Sequence, residues 1–176
     1  MTSLENKNTN VLTVKPIGLI HSPFSRSDGA PIQPVFAEGY EGTVEVYNEF
    51  EDALLDLEGF ERIWLLYWFD RASEFQSKVK PYMNDRWHGL FATRAPSRPN
   101  PIGLSCVKLL SVKANIIHIS ELDILDGTPL LDIKPYIGKF DCFKVKRNGW
   151  LDTAEKGNIK SDNRFYDNQK KARDTK

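Results

Sequence analysis

Hydrophobic positions change rhythm several times along this chain, and each change marks an element. Apolar residues at Leu12, Val14, Ile17 and Ile20 of "LTVKPIGLIHS" (12–22) fit a strand with a proline-marked bend. A loop rich in Pro, Gly, Ser and Asp fills 23–40. "GTVEVY" (42–47) alternates, with Val44 and Val46 on one face, the pattern of a half-buried strand. The period then becomes helical. Phe50, Ala53, Leu54 and Leu57 fall at i, i+3, i+4 and i+7, Asn48 and Glu51 have capping-box spacing, and Gly59 stands where a helix stops. This predicts a helix of about three turns. "RIWLLYWF" (62–69) is apolar on both faces and reads as a central buried strand. Trp64 and Trp68 share one face of it and Tyr67 the other, which favours core or subunit interface over base stacking.

Residues 71–87 are charged and irregular. "GLFAT" (89–93) is a short strand, and 102–112, 115–125 and 129–136 are three more. Lys113-Ala114 and Asp126-Gly127-Thr128 join them with hairpin-length connections, so the pairing should be antiparallel. Strands dominate. The expected fold is mainly β, a small antiparallel β-barrel or closed sheet with one flanking helix. The eleven glycines never occur as G-x-G, so the chain has neither a dinucleotide fingerprint nor a P-loop.

Composition narrows the class. A chain of 176 residues with 40% hydrophobic and 27% charged residues suits one globular domain. No run of 18 apolar residues is present, so no membrane helix is expected. The start, "MTSLENKNTN", has no apolar h-region, and residues 1–11 read as a disordered lead. Two cysteines without C-x-x-C point to reduced thiols in a cytoplasmic protein. The histidines, His21, His88 and His118, lack metal-ligand spacing, so no metal is expected. Net charge is zero, yet residues 144–176 hold ten Lys/Arg against five Asp/Glu. That polar stretch reads either as a solvated tail or as an arm meeting nucleic-acid phosphates, and Trp150, Phe165 and Tyr166 give it an aromatic character.

The densest chemistry is "ATRAPSRPNPIGLS" (92–105), where three prolines and two arginines fall between Arg94 and Pro101. Each proline fixes its own φ and pushes the residue before it to extended geometry, so Ala95, Arg98 and Asn100 are constrained as well. Such a loop loses little entropy on ordering. It is either a rigid connection with two solvated arginines or a preorganised clamp for an anionic or planar ligand. Asp126-Gly127 is equally open: a plain turn, or a tight corner offering an acceptor. Asp132 and Lys134 share a strand face, which fits an ion pair as well as it fits catalysis.

"GLFATRAPSRPNPIGLS" (89–105) followed by "LDILDGTPLLDIKPY" (122–136) resembles the TrmO, or TsaA-like, family. The resemblance runs from about Val14 to Tyr136 and includes "IGLIHSPF", "PIQP" and "IWLLYWF". It implies S-adenosyl-L-methionine-dependent methylation of N6 of threonylcarbamoyladenosine, beside the tRNA anticodon. It implies a non-Rossmann β-barrel and a homodimer with the cofactor near the subunit interface. The division expected is a methyltransferase domain over 12–143 and a basic tail over 144–176.

The family's cofactor positions fall here on Gln33, Pro34, Val35 and Phe36, on Asp70 and Arg71, on Arg94, on Leu104, and on Asp126, Gly127, Thr128 and Pro129. Arg94 is assigned to the cofactor; Arg98 and Asn100 are assigned to the substrate. Asp132, Lys134 and Tyr136 are candidates for removing the proton from N6. Two departures stand out: Asp70 where bacterial members often carry His, and Ile32 where arginine is common. The C-terminal region is shorter than in bacterial members, so tRNA binding cannot be copied from them. The alternatives are a methyltransferase for another RNA or a small molecule, and a non-catalytic RNA-binding barrel.

Overall fold

The computed structural model describes residues 12–154, 157 and 159–166; the lead expected over 1–11 lies outside these. Six strands close a barrel: β1 (Gly18–His21), β2 (Glu41–Val46), β3 (Arg62–Trp68), β6 (Ile102–Lys113), β7 (Ile116–Ser120) and β8 (Thr128–Pro135). Around the barrel the order is β1-β2-β7-β6-β3-β8, with every neighbour antiparallel. The expected mainly β, antiparallel barrel is the observed fold. Two short strands, β4 (Lys78–Val79) and β5 (His88–Gly89), pair separately outside it.

Alternation decides what faces inward. On β3, Ile63, Leu65 and Tyr67 are buried, while Trp64, Leu66 and Trp68 face out. Val44 and Val46 of β2, Val107 and Leu109 of β6, and Ile117 and Ile119 of β7 meet them in one core. Closing the sheet leaves no unpaired edge among these six strands.

Four expectations change. The helix read over 48–59 is instead two 3-10 segments, Asn48–Leu54 and Leu57–Gly59. Between them Leu55 turns extended and Asp56 takes a left-handed φ of 65°, which no helix continues through. Tyr47, not Asn48, is the N-cap, and no side chain caps it. Phe50, Leu54 and Leu57 still pack on the core, so the apolar spacing reported a real buried face. The strand at 12–22 narrows to β1. "GLFAT" gives up its strand after Gly89 and coils as a 3-10 turn, Leu90–Ala92.

The fourth change matters most. β7 ends at Ser120, and β8 is not its neighbour but lies across the barrel, between β1 and β3. Residues 121–127 therefore span the barrel end instead of forming a hairpin. Leu122, Ile124 and Leu125 are buried there as a plug, and Glu121 begins the crossing with a positive φ of 60°.

The described part of the basic stretch folds back onto the body. Ser161 N–H donates to Ala30 O at 2.8 Å, and Ser73 N–H donates to Phe165 O at 2.9 Å. Phe165 joins Val79, Leu90 and Ala95 in a second, smaller core under the proline loop. Trp150 stacks on His88, with ring centroids 4.8 Å apart, and its Nε1–H donates to Ala92 O.

Candidate functional site

Strand register places the candidate residues. The crossing segment caps the barrel end where β1 and β3 finish and β2, β6 and β8 begin. Asp70 and Arg71 follow β3 at that end. Arg71 Nε–H donates to Asp70 Oδ1 at 3.3 Å, and Arg71 Nη2–H donates to Thr128 Oγ1 at 2.8 Å. Thr128 in turn donates to Leu125 O at 2.7 Å, which ties the first residue of β8 to the plug. Gly127 takes a φ of 70°, and open space lies where a Cβ would stand, so ligand can approach its backbone. Its neighbour Asp126 accepts from Ser22 N–H at 3.0 Å while its side chain stays 48% exposed, leaving acceptor capacity free.

The proline loop arches beside this end. Phe69 N–H donates to Pro101 O at 2.8 Å, and Gln76 N–H donates to Ser97 O at 3.2 Å. Arg98 braces the loop from within: its Nη1 donates to Thr93 O and Ala95 O, and its guanidinium lies 5.6 Å from the Phe91 ring centroid. Arg94 is exposed and donates from Nη1 to Gln33 Oε1. Its charge also reaches inward, favouring the ionised forms of Asp123 and Tyr67. Arg94, Gln33, Asp70, Arg71, Thr128 and the Gly127 turn thus gather at one end of the barrel. Pro34, Val35 and Phe36 form a 3-10 turn next to Gln33, with Val35 77% exposed.

Three groups of residues stand apart. Asp132, Lys134 and Tyr136 lie along and just past β8 as it runs toward the opposite barrel end. Asp132 and Lys134 form an ion pair of 2.7 Å, and Tyr136 packs on Trp64, centroids 5.8 Å apart. Leu104 points outward from β6, opposite Leu66. Asn100 is exposed at the loop tip.

Below the Arg71–Thr128 bridge a small cavity of about 20 Å³, room for about one water, is lined by Tyr67, Asp70, Arg71, Asp123, Thr128 and Tyr166, among others. Asp123 went unremarked in the sequence because "NIIHISELDIL" reads as continuous strand. Its carboxylate Oδ1 accepts from Ser105 Oγ–H at 2.7 Å. Ser105 has one hydroxyl proton, so Tyr67 O–H is the donor in the 3.1 Å contact between Tyr67 and Ser105. Burial pushes the Asp123 carboxyl up to about 7, against the lowering pull of the Ser105 hydroxyl and Arg94. Burial likewise raises the Tyr67 phenol, and holds Tyr166 at about 12.

Known proteins place the chain in a family. The tRNA-methyltransferase O N-terminal domain family matches residues 19–142. The chain belongs to that family. A probable S-adenosyl-L-methionine-binding protein of Pyrococcus abyssi is 49% identical over 89% of this chain and 86% of its own length. The human tRNA (adenine(37)-N6)-methyltransferase is 37% identical over 76% of this chain, which spans 32% of that protein. The crystal structure of TrmO from Pseudomonas aeruginosa superposes with a TM-score of 0.68 at 40% identity, over 80% of this chain and 62% of that one. This member of the family therefore shares its barrel with larger relatives, and its length with the archaeal one. Among the described residues no helix is long and apolar enough to cross a membrane, and no cluster of His, Cys, Asp and Glu is placed to hold a metal ion.

Proposed function

We propose that this chain methylates N6 of adenosine 37 in tRNA, in its threonylcarbamoyl form, with S-adenosyl-L-methionine as donor. The carrying observation is the convergence of Arg94, Arg71 and the Asp126–Gly127 corner at one end of a closed barrel. Family membership and the printed names of relatives support the chemistry. The donor has a ribose diol, a cationic sulfonium and an amino-acid end. The residues present fit it. Asp126 offers a half-exposed acceptor for hydroxyls or an ammonium, Gly127 offers bare backbone, and Arg94 offers an exposed cation for a carboxylate. When bound, the donor supplies an electrophilic methyl group.

The chain's own work is to hold and orient. The Arg71–Thr128 bond fixes the floor, and the braced proline loop keeps Arg94 aimed without an ordering cost on binding. Asn100 and the outer side of the proline loop are the proposed RNA contacts. The protein acts in the cytoplasm, where it meets tRNA.

We assign Leu104 to a partner subunit's site. It lies on the outward face of β3 and β6, where Trp68, Ile102 and Leu104 are 36%, 46% and 45% exposed. A homodimer through this face would bring Leu104 to the second barrel's cofactor.

Methyl transfer to tRNA isolated with and without the threonylcarbamoyl group tests the reading. Transfer only to the modified tRNA is expected. Equal transfer to both refutes the substrate form, and transfer to neither refutes the activity.

A further inference from the structure

We propose that Asp123, on the crossing segment, is the general base that takes the proton from the attacking nitrogen of the tRNA base. The inference rests on the methyltransferase reading above. A carbamoylated N6 has a delocalised lone pair and attacks well only as its proton leaves, so the site needs an acceptor within reach. Of the carboxylates nearby, Asp70 receives Arg71, and Asp126, which receives the Ser22 N–H, is the acceptor assigned to the donor. Asp132 is tied to Lys134 on the outer wall.

Asp123 differs in three ways. It lines the cavity beneath the Arg71–Thr128 bridge, and its residue as a whole is only half-buried. Its position is over-determined, because Tyr67 donates to Ser105 and Ser105 donates to Asp123. And it sits on a segment that crosses the barrel mouth, at the end where the candidate cofactor residues gather. A buried carboxyl of raised affinity for protons costs stability and is kept where chemistry uses it.

In the step, the N–H bond breaks as the new N–CH3 bond forms. The proton ends on the Asp123 carboxylate, and the sulfur retains the electron pair of the broken S–CH3 bond. The carboxyl then releases its proton to solvent through the cavity mouth. The charged and titratable groups facing Asp123 are Arg94 from the proline loop, Tyr67 from β3, Arg71 and Asp70 after it, and Tyr166 from the C-terminal stretch. Both phenols are raised and remain protonated through neutral pH, so the acid limb belongs to Asp123.

The test uses the full chain with modified tRNA. Asp123→Asn should lower single-turnover methyl transfer by about 100-fold or more. Its affinity for S-adenosyl-L-methionine, by calorimetry, should stay within about threefold of wild type, as expected for a group that does not hold the donor. In wild type the rate should fall tenfold per pH unit below a midpoint near 7. Carbon-13 NMR of labelled aspartate should show a carboxyl with the same midpoint without donor or tRNA, absent from Asp123→Asn. Ser105→Ala removes the donor that favours the ionised carboxylate, so it should move the acid limb to higher pH while leaving donor affinity unchanged.

An Asp123→Asn enzyme within about fivefold of wild type refutes the base, as does an acid limb that persists in that variant. A wild type inactive on every tRNA refutes the methyltransferase reading itself. A wild type active beside an equally active Asp123→Asn refutes only the base.

Discussion

Arg94 reaches two places with one charge, outward to solvent and Gln33, inward to Asp123 and Tyr67. Arg94→Ala should weaken S-adenosyl-L-methionine binding about tenfold or more, the value of one charge-assisted hydrogen bond. Calorimetry at fixed pH reads it, and unchanged affinity would reassign Arg94 to the RNA. Asp123 gives a stability signature of its own. Its carboxyl is raised from 3.8 to about 7 in the fold, so the folded protein binds the extra proton in that interval. Stability from this group is fullest below about 4, declines as pH rises to about 7, and is level above. Asp123→Asn removes the titration, so its melting temperature should exceed that of wild type at pH 8, and the gap should narrow steadily toward pH 4. A gap independent of pH would show that the carboxyl is not displaced.

At the scale of elements, β6 illustrates how tightly strand and site are joined. Gly103 pairs with Tyr67, and a Cβ added there would lie 2.2 Å from the Tyr67 ring. Gly103→Ala must displace that ring and with it the donor to Ser105. The expected cost is about 1–3 kcal/mol for overpacking, read as a lowered melting temperature, together with slower methyl transfer. A variant as stable as wild type would show that the ring has room to move.

The strands themselves were legible in the sequence, because alternation is a local property: Val44 and Val46, or Ile117 and Ile119, announce their face within a few residues. The stiffness of the proline loop was legible because its prolines act on their own backbone. What stayed hidden was non-local. The crossing of 121–127 continues the apolar pattern of β7, so Leu122, Ile124 and Leu125 look like more strand, and only the strand order shows that they plug the end. Asp123 inherits that invisibility, since the hydrogen-bond chain that holds it comes from Ser105 and Tyr67 on two other strands. The 48–59 segment failed differently. Its buried face was right, but the left-handed Asp56 breaks the winding in a way that apolar spacing does not encode.

For the whole molecule, the outward face of β3 and β6 is the feature left unexplained by a single barrel. Cross-strand pairs Trp64–Cys106, Leu66–Leu104 and Trp68–Ile102 line it. A stable dimer buries about 800 Å² per partner, and such a face supplies an apolar centre for it. The proposed dimer with a shared site predicts that Leu104→Glu gives a monomer in sedimentation equilibrium and lowers donor affinity at the same time. A monomeric wild type with full donor affinity would end that assignment.

The fold-back of the C-terminal stretch has a consequence for biosynthesis. Tyr166 lines the cavity and Phe165 supports the proline loop, yet both are added after all six barrel strands. A ribosome-bound chain halted near residue 143 holds every strand of the barrel but lacks the Tyr166 wall of the cavity and the Phe165 support under the proline loop. The C-terminal stretch thus completes the cavity wall and the smaller core only after the barrel strands have been made.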